Sequence, residues 1–442
     1  MKHNKSTNLH LASQLQKTLR VTETPELKEA VNFQKSSQTA IHRWFRYREG
    51  FSPAILDTVA SAKRIYDPFA GCGTTLIEAR SKGIEAVGTE INPLAVFIAE
   101  VKTKNYSDKD RGHFTQIYKR AYRTKRNSIW KAPSMPLLPK MFQPEALEEL
   151  CRIRAVIEEC TNKKVQNLLL LSWLNILEKC SNTYKEGNGL KYRNKRRRPD
   201  AYETLPDNIW IPKYFGPSIG KFVKDTWKRQ CEMVIEDLHF IPSIKCKKQP
   251  RVINSSCLSP HTSDEVGMCD AAVFSPPYAN RFDYFEAFKL ELWMGDFVDS
   301  QKKLGELRQK SMRNNLTVKD GEYAERKSLE NFLELMGETE SSVRMGIQNT
   351  LRGYFDDIYK LADNLTRTLE KGGKVVCVIG NSAYAGVVIP TDILTANIFE
   401  EAGFTVNNVN VARHLTVSSQ QRNKVDQAMF PYMRESIIEC TR

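Results

Sequence analysis

The sequence predicts an α/β protein with a doubly wound, mostly parallel sheet, because buried strand patterns alternate with helical patterns in both terminal parts of the chain. Short apolar runs at 62–66, 86–89, 271–274 and 374–379 are typical of strands covered on both faces. Residues 107–250 instead have amphipathic helical periodicity and few strand-like runs. We therefore expect an α/β domain that is interrupted by a largely helical inserted domain.

These patterns divide the chain into four sections. They are a polar N-terminal arm (1–38), the first part of the α/β domain (39–106), the helical insertion (107–250), and the second part of the α/β domain (251–442) with a polar excursion at 299–345. Within the last section, residues 404–411 and 436–440 are expected to form a terminal antiparallel pair of strands. With 442 residues the chain is long enough to bury a large core.

The first motif is the stretch from Asp67 to Thr75, which reads DPFAGCGTT and joins a strand end to a helix start. Glycines at 71 and 73 remove β-carbons where a ligand must approach the backbone, and they permit dihedral angles that other residues avoid. Glu90 ends the next strand, about 20 residues further on, where a carboxylate can accept hydrogen bonds from ribose hydroxyls. This pattern predicts a small-molecule pocket, although ordinary α/β packing would explain it equally well.

The second motif is the stretch from Asp270 to Tyr278, which reads DAAVFSPPY. Pro276 and Pro277 stiffen the backbone and remove two donors, which leaves the carbonyls of Ser275 and Pro276 exposed as acceptors. Tyr278 adds a flat ring beside them. Fixed acceptors next to a stacking face suit a planar ligand with an exocyclic amino group, as on cytosine and adenine.

Together, DPFAGCGTT and SPPY resemble the signature motifs of the S-adenosylmethionine-dependent amino-methyltransferases that act on nucleic-acid bases. The resemblance covers residues 40–106 and 250–440. It implies a seven-stranded methyltransferase sheet and S-adenosyl-L-methionine as cofactor. A tetrad that begins with serine resembles the branch that methylates N4 of cytosine in DNA, whereas aspartate or asparagine in first place is commoner in N6-adenine enzymes. An insertion between the two motifs resembles the arrangement in which that insertion recognises the target.

The resemblance also implies roles for single residues. The catalytic tetrad is Ser275, Pro276, Pro277 and Tyr278. The cofactor-binding set is Asp67, which holds the methionine amine in the family, with Phe69, Gly71, Gly73, Thr74, Thr75, Glu90, Ile91 and Ser256. Ser256 stands where the family often has an acid near the cofactor adenine. In the family the segment before the glycine motif closes over the methionine end, and Trp44 or Tyr47 could do this here.

The chemistry that follows concerns a weak nucleophile, since an exocyclic amine shares its lone pair with the ring. If the Pro276 carbonyl and the Ser275 hydroxyl accept the two amine protons, the nitrogen is drawn towards tetrahedral geometry and its lone pair is aligned with the methyl group. A base inside a duplex must be flipped out to reach this position, and stacking on Tyr278 would recover part of the cost.

Basic residues indicate where a polyanion would bind. Lysine and arginine number 66 against 52 acidic residues, a net charge of +14. Seven of the sixteen residues from Lys185 to Asp200 are basic. A solvated charge run is the alternative interpretation. The candidate substrate-binding residues are Asn280, Arg281, Lys191, Arg193, Arg196, Arg197 and Arg198, with helix capping as the rival explanation for the first two.

The leading hypothesis is a sequence-specific methyltransferase that acts on N4 of cytosine in double-stranded DNA, with a cognate restriction endonuclease as a further partner. The alternatives are an N6-adenine enzyme, an RNA base methyltransferase and a DNA-binding module without catalysis. A nicotinamide dehydrogenase is disfavoured, because the turn lacks a third glycine. Scattered cysteines without a C-x-x-C pair argue against a metal, and no apolar segment suggests a membrane, so we expect a cytoplasmic protein.

Overall fold

The computed structural model describes residues 2–33, 36–47, 50–125, 129–187, 189–197, 202–240, 248–315, 323–337, 346–417 and 421–442. Its strands are β1 (Val21–Glu23), β2 (Arg64–Asp67), β3 (Glu85–Thr89), β4 (Thr183–Glu186), β5 (Gly189–Tyr192), β6 (Lys195–Arg197), β7 (Tyr202–Thr204), β8 (Arg251–Ile253), β9 (Cys269–Phe274), β10 (Leu369–Gly380), β11 (Ser382–Tyr384), β12 (Val387–Ile389), β13 (Thr405–His414) and β14 (Arg434–Thr441).

Its helices are α1 (Lys2–Gln16), α2 (Thr74–Ser81), α3 (Pro93–Thr103), α4 (Asp108–Arg123), α5 (Leu138–Met141), α6 (Pro144–Glu158), α7 (Lys163–Leu177), α8 (Asp207–Phe215), α9 (Ile219–Phe240), α10 (Thr262–Val266), α11 (Tyr284–Ala287), α12 (Lys289–Met294), α13 (Gln301–Lys310), α14 (Lys327–Met336), α15 (Ile347–Thr368) and α16 (Thr391–Glu401). Helices and strands thus alternate on both sides of the segment that contains α4 to α9.

A central sheet has the strand order β1-β13-β14-β10-β9-β2-β3-β8. Only β14 runs against its neighbours, β10 and β13, and all other pairs are parallel. The prediction of a large, mostly parallel sheet in an α/β protein is therefore confirmed, and so is the antiparallel pairing of the last two strands. The strand order reverses between β2 and β9, since the chain continues from β2 towards β8 and from β9 towards β13.

The sheet has eight strands among the described residues, one more than the seven that the resemblance implies. The additional strand is β1, which pairs with the β13 edge through Val21 opposite Val409. An uncovered strand edge leaves backbone donors and acceptors unpaired, so a neighbouring segment gains hydrogen bonds by adding to it. A three-residue strand in a polar stretch has too little periodicity to be predicted from sequence.

Residues 1–38, interpreted from sequence as a polar arm, are tied to the rest of the protein. Besides β1, this segment forms α1, which packs against α14. The side-chain amide of Asn8 is buried and exchanges two hydrogen bonds with the backbone of Val388, at 3.1 and 3.0 Å. Such a pairing satisfies both polar groups away from water.

The insertion is built on four helices, α4, α6, α7 and α9, which all pack against one another. Their apolar faces surround Trp173 and Trp227, and the same hydrophobic core continues into α3 and α12 of the α/β part. Two hairpins, β4–β5 and β6–β7, carry the described part of the basic stretch. The helical insertion therefore shares a core with the sheet-bearing part.

Candidate functional site

A cleft lies at the carboxyl ends of β2, β3, β8 and β9, where the strand order reverses. It encloses about 1060 Å³, part of it open to solvent. In open parallel sheets ligands bind at such a reversal, because the connections on either side of it lead away from each other and leave a crevice. The cleft brings both motifs together, since Gly71 and Ser275 line it.

Asp67 occupies the end of β2 at the floor of this cleft. Its side chain is 2% exposed, and one carboxylate oxygen accepts a hydrogen bond of 2.9 Å from the Phe69 backbone N–H. Burial raises the pKa of Asp67 to about 7, and the nearby charge of Glu90 acts in the same direction. A buried carboxylate of this kind is stabilised in its charged form by a cation brought into the cleft.

Glu90 lies at the end of β3, opposite the glycine turn. One of its oxygens accepts a hydrogen bond of 2.9 Å from Gly71 N–H, and the other accepts one of 2.8 Å from Asn92 N–H. Burial raises the pKa of Glu90, while these backbone donors oppose the shift. The carboxylate is thus held in one orientation, and its remaining lone pairs can accept hydroxyl donors.

Most of the other predicted cofactor residues also line the cleft, namely Phe69, Thr74, Ile91 and Ser256. Gly73 and Thr75 do not line the cleft. Gly73 has φ +88°, and a β-carbon added there would lie 3.0 Å from Cβ of Ala99 on α3. Its bare backbone therefore lets α2 and α3 approach each other, while Thr75 is fully buried.

The tetrad that follows β9 lies between the cleft and a second cavity. Ser275 lines both spaces, Pro277 lines the cleft, and Pro276 and Tyr278 line the second cavity. The second cavity is completed by residues from distant parts of the chain, among them Asn32, Arg46, Tyr284, Arg413 and Glu435. The tetrad is therefore shared by two adjoining spaces of different composition.

An aromatic side chain also borders both spaces. Tyr47 lines both, and its ring is stacked on Phe288 with centroids 4.8 Å apart and planes 10° apart. Trp44, the other aromatic candidate, is buried and donates its ring N–H to Asp237 of α9 at 2.8 Å. Of the two aromatic candidates, Tyr47 is therefore the one at the cleft, and contacts to the insertion hold its segment there.

The two predicted base-pocket residues after the tetrad differ in position. Asn280 lines the second cavity, and its side-chain oxygen accepts the Phe282 N–H at 3.1 Å, as in a local turn. Arg281 has φ +66° and lies over the Tyr384 ring, 5.7 Å from its centroid, outside the lining of both spaces. Of these two residues, Asn280 therefore borders the second cavity and Arg281 does not.

The basic stretch contains side chains in different environments. Lys191 is about half exposed and forms an ion pair of 2.7 Å with Glu186, and Arg196 is exposed. Arg193 faces inward, since it donates to the carbonyls of Ser181 and Glu178 and stacks over Tyr214 at 4.2 Å. The backbone of Arg197 belongs to β6, but its side chain and all of Arg198 lie outside the described residues.

Sequence reasoning missed one wall of the cleft. Ser311, Met312, Asn314 and Asn315 line it, although they belong to the stretch interpreted as a polar excursion. Arg313 anchors this wall, because its guanidinium forms ion pairs of 2.8 and 2.6 Å with Asp356 and Asp357 of α15. The pairing spans more than 40 positions in sequence, so no local pattern signals it.

The described part of the chain contains neither a metal-binding group of side chains nor a membrane-spanning helix. It contains no group of three or more His, Cys, Asp or Glu side chains placed to hold a metal ion. None of its helices has both the length and the apolar character that are needed to cross a bilayer.

Comparison with known proteins identifies relatives along most of the chain. The Type II methyltransferase M.AvaI of Anabaena variabilis is 27% identical over 435 residues, which covers 93% of this chain and 88% of the relative. The Type II methyltransferase M.BsoBI of Geobacillus stearothermophilus is 28% identical over 451 residues, covering 90% and 85%. M.MvaI of Kocuria varians, also a Type II methyltransferase, is 22% identical over 359 residues, covering 77% and 74%.

No protein-family model matches the chain. The names of the relatives nonetheless agree with the reaction class that the two motifs predict, methyl transfer within restriction–modification. In sequence, over at least three quarters of its length, this chain is similar to Type II methyltransferases.

Proposed function

We propose that the protein is a site-specific DNA methyltransferase that transfers a methyl group from S-adenosylmethionine to N4 of a flipped cytosine, as the modification enzyme of a restriction–modification system. The observation that carries this proposal is the position of Ser275. It borders both the cleft that contains the glycine turn and the cavity that contains Pro276 and Tyr278. A donor and an acceptor of a methyl group can therefore meet at the tetrad.

The residues of the cleft suit S-adenosylmethionine. Asp67 is a buried carboxylate with a raised pKa, and the methionine amine would supply the positive charge that stabilises its ionised form. Glu90, held by two backbone donors, would accept the ribose hydroxyls, and Ile91 would pack on the adenine. The cofactor supplies an activated methyl group on a sulfonium. The protein therefore need only orient the nucleophile and exclude water.

The residues of the second cavity suit a flipped base. The Ser275 hydroxyl and the Pro276 carbonyl would accept hydrogen bonds from the two N–H groups of the exocyclic amine, which aims the nitrogen lone pair towards the cleft. The Tyr278 ring would stack on the base, a contact worth roughly 1–3 kcal/mol, against a flipping cost of a few kcal/mol. Methylation leaves a cationic nitrogen, which would release one proton to solvent.

DNA as the substrate is supported by charge and by the relatives. The net charge of +14 favours a polyanion, and exposed basic side chains such as Lys191 and Arg196 project from the hairpins of the insertion. Arg193 has a packing role in the hairpin, so we propose phosphate contact for its exposed neighbours. A cognate endonuclease is the expected partner of a Type II modification enzyme.

The test is transfer of a tritiated methyl group from S-adenosylmethionine to bacterial genomic DNA, followed by nucleoside analysis. We expect labelled 4-methylcytosine with the unaltered protein and a loss of about 10²-fold in kcat for Ser275→Ala, the low end for removal of one hydrogen bond that stabilises the transition state. Ser81→Ala is the matched control, because Ser81 lies at the end of α2 outside both cavities.

Each other outcome selects one of the alternatives. Labelled 6-methyladenine without 4-methylcytosine would assign the reaction to adenine, and label only in added RNA would assign it to RNA. DNA binding without any transfer would contradict catalysis and favour a silent DNA-binding module.

A further inference from the structure

Three neighbouring strands place Gly380, Glu435 and Arg413 in one row at the edge of the second cavity. Gly380 of β10 is opposite Glu435 of β14, and Glu435 is opposite Arg413 of β13. Residues directly opposite each other on neighbouring strands direct their side chains to the same face of the sheet. Glu435 and Arg413 both line the cavity, and Tyr278 of the tetrad lies against the row.

Gly380 leaves space for the Tyr278 ring. A β-carbon added at Gly380 would lie 2.7 and 2.9 Å from two ring carbons of Tyr278, closer than real contacts allow. The Tyr278 hydroxyl donates a hydrogen bond of 2.5 Å to one oxygen of Glu435. The ring proposed to stack on the base is thereby fixed at two points, one on bare backbone and one on a buried carboxylate.

Glu435 also orients Arg413. The second carboxylate oxygen accepts Nε–H of Arg413, in an ion pair whose side chains are 5% and 30% exposed respectively. Both Nη groups of Arg413 lack a hydrogen-bond partner among the described residues. A guanidinium fixed through Nε keeps its other donors in a planar fork, which suits two adjacent acceptors.

We propose that Arg413 determines base specificity by donating to the ring edge of the flipped base, and that Glu435 positions both Arg413 and Tyr278. The inference rests on the proposed function, since it concerns the base held at the tetrad. Next to its amino group, cytosine presents two acceptors in succession, N3 and O2. Adenine presents one, N1, followed by a C–H. A fork of two donors beside acceptors for the amine therefore favours cytosine.

The alternative is that the ion pair between Arg413 and Glu435 has a purely structural role. A second arginine–glutamate pair in the same sheet allows this alternative to be tested. Arg64 of β2 is opposite Glu85 of β3 at the amino ends of the strands, 3.3 Å apart and with side chains 29% and 30% exposed. Neither residue lines the cleft or the second cavity. Arg64→Gln is therefore a matched control for the loss of a cross-strand arginine.

The experiment first locates the methylated base by sequencing DNA that the unaltered protein has modified. Two duplexes are then compared, one with cytosine at that position and one with a 2-aminopyridine C-nucleoside, which keeps the amino group and ring nitrogen but lacks O2. We expect the unaltered protein and Arg64→Gln to prefer cytosine by about tenfold in kcat/KM, the low end for a bidentate base contact, because the analogue removes one of the two acceptors. Arg413→Gln should lose most of this preference.

A second variant tests the positioning residue. Glu435→Gln keeps the size of the side chain and an acceptor for Tyr278 but lacks the charge that orients Arg413. We expect Glu435→Gln to lower the cytosine preference as well. The affinity for S-adenosylmethionine should not change, because neither Glu435 nor Arg413 lines the cleft.

The results separate the inference from the function on which it rests. An unchanged cytosine preference in Arg413→Gln, with active protein, would overturn the inference and leave the methyltransferase proposal standing. Methylation of adenine alone by the unaltered protein would overturn the inference and the choice of base. Transfer to no DNA at all would overturn the proposed function, and the inference with it.

Discussion

The cleft and the second cavity adjoin at Ser275, but the chain builds them in different ways. The cleft takes its floor from two strand ends that lie close in sequence, 67–72 and 90–92, and further walls from Tyr47, Gly50 and Phe51 and from 255–258, 283–285 and 311–315. The second cavity combines Val31, Arg46 and Gly50 with three residues of the tetrad, Arg413 and Glu435, so its parts are separated by hundreds of residues. The part of a pocket that is built on local motifs can be identified in a sequence, whereas a part built on distant segments or strand neighbours cannot.

The two spaces also differ in their charges. Burial raises the pKa values of two carboxylates of the cleft, Asp67 and Glu90, and no lysine or arginine is among the described residues that line it. The carboxylate of the second cavity, Glu435, already has its cation in Arg413. The cleft is thus suited to a positively charged ligand and the second cavity to a neutral, hydrogen-bonding one. Substitutions that affect only one space test this distinction.

The largest effect is expected at the second cavity, from Gly380→Ala. The added β-carbon would displace the Tyr278 ring, and displacement of a reacting group by about 1 Å can lower the rate about 10²-fold. We expect this loss in methyl transfer to DNA, with unchanged affinity for S-adenosylmethionine by calorimetry. Gly112→Ala on α4 is the control, because a β-carbon there meets nothing within 4 Å. Full transfer activity in Gly380→Ala would contradict a role for the ring position.

The next effect concerns the cleft. Asp67→Asn removes the buried charge proposed to bind the cofactor amine, and we expect affinity for S-adenosylmethionine to fall about 30-fold or more, as for truncated buried charge pairs. Asp57→Asn is the control, since Asp57 is exposed and forms an ion pair with Lys82 at the surface. Equal affinities of the two variants, measured by calorimetry, would exclude Asp67 as the partner of the amine.

We expect the affinity for S-adenosylmethionine to change about tenfold with pH. Because the folded-state pKa of Asp67 is about 7, its carboxyl is largely protonated below that pH and cannot hold a cation. Affinity should therefore fall roughly tenfold between pH 7 and pH 5.5, and the fall should be absent in Asp67→Asn. The same slope in both proteins would assign the titration to another group.

The same raised pKa predicts the opposite trend for stability without cofactor. The folded state favours the protonated form of Asp67, so its stabilising contribution is present below the ordinary aspartate pKa and is lost as pH rises through about 7. Denaturant unfolding of the ligand-free protein and of Asp67→Asn across this range measures the contribution. A difference between the two proteins that is independent of pH would contradict the assignment.

The smallest effect is expected outside both spaces, on the hairpins. Arg196→Gln should weaken DNA binding a few-fold at all sequences and reduce the slope of log affinity against log salt by about 1, as for one lost phosphate contact. Arg367→Gln is the control. It removes a half-exposed arginine near the end of α15, just before β10 begins. Identical salt slopes for the two variants would show that Arg196 does not contact phosphate.

Much of the fold could be predicted because its signals are local. The buried strands β2, β3, β9 and β10 are short apolar runs, and the last two strands have a readable antiparallel pattern. The strand β1 could not be predicted, because three residues in a polar stretch become a strand only when the β13 edge is present. The cleft wall at 311–315 escaped prediction for a similar reason, since its anchor is the pairing of Arg313 with α15.

By itself the sequence determined the two motifs, the turn at Gly71, the carboxylates of Asp67 and Glu90, and the acceptors and ring of the tetrad, because each depends on neighbours a few positions away. Only the tertiary structure decided that Tyr47 stands between the two spaces and that Gly380, Glu435 and Arg413 form a row beside Tyr278. The physical reason is strand register. It sets which side chains of distant segments share a face, and no single segment contains that information.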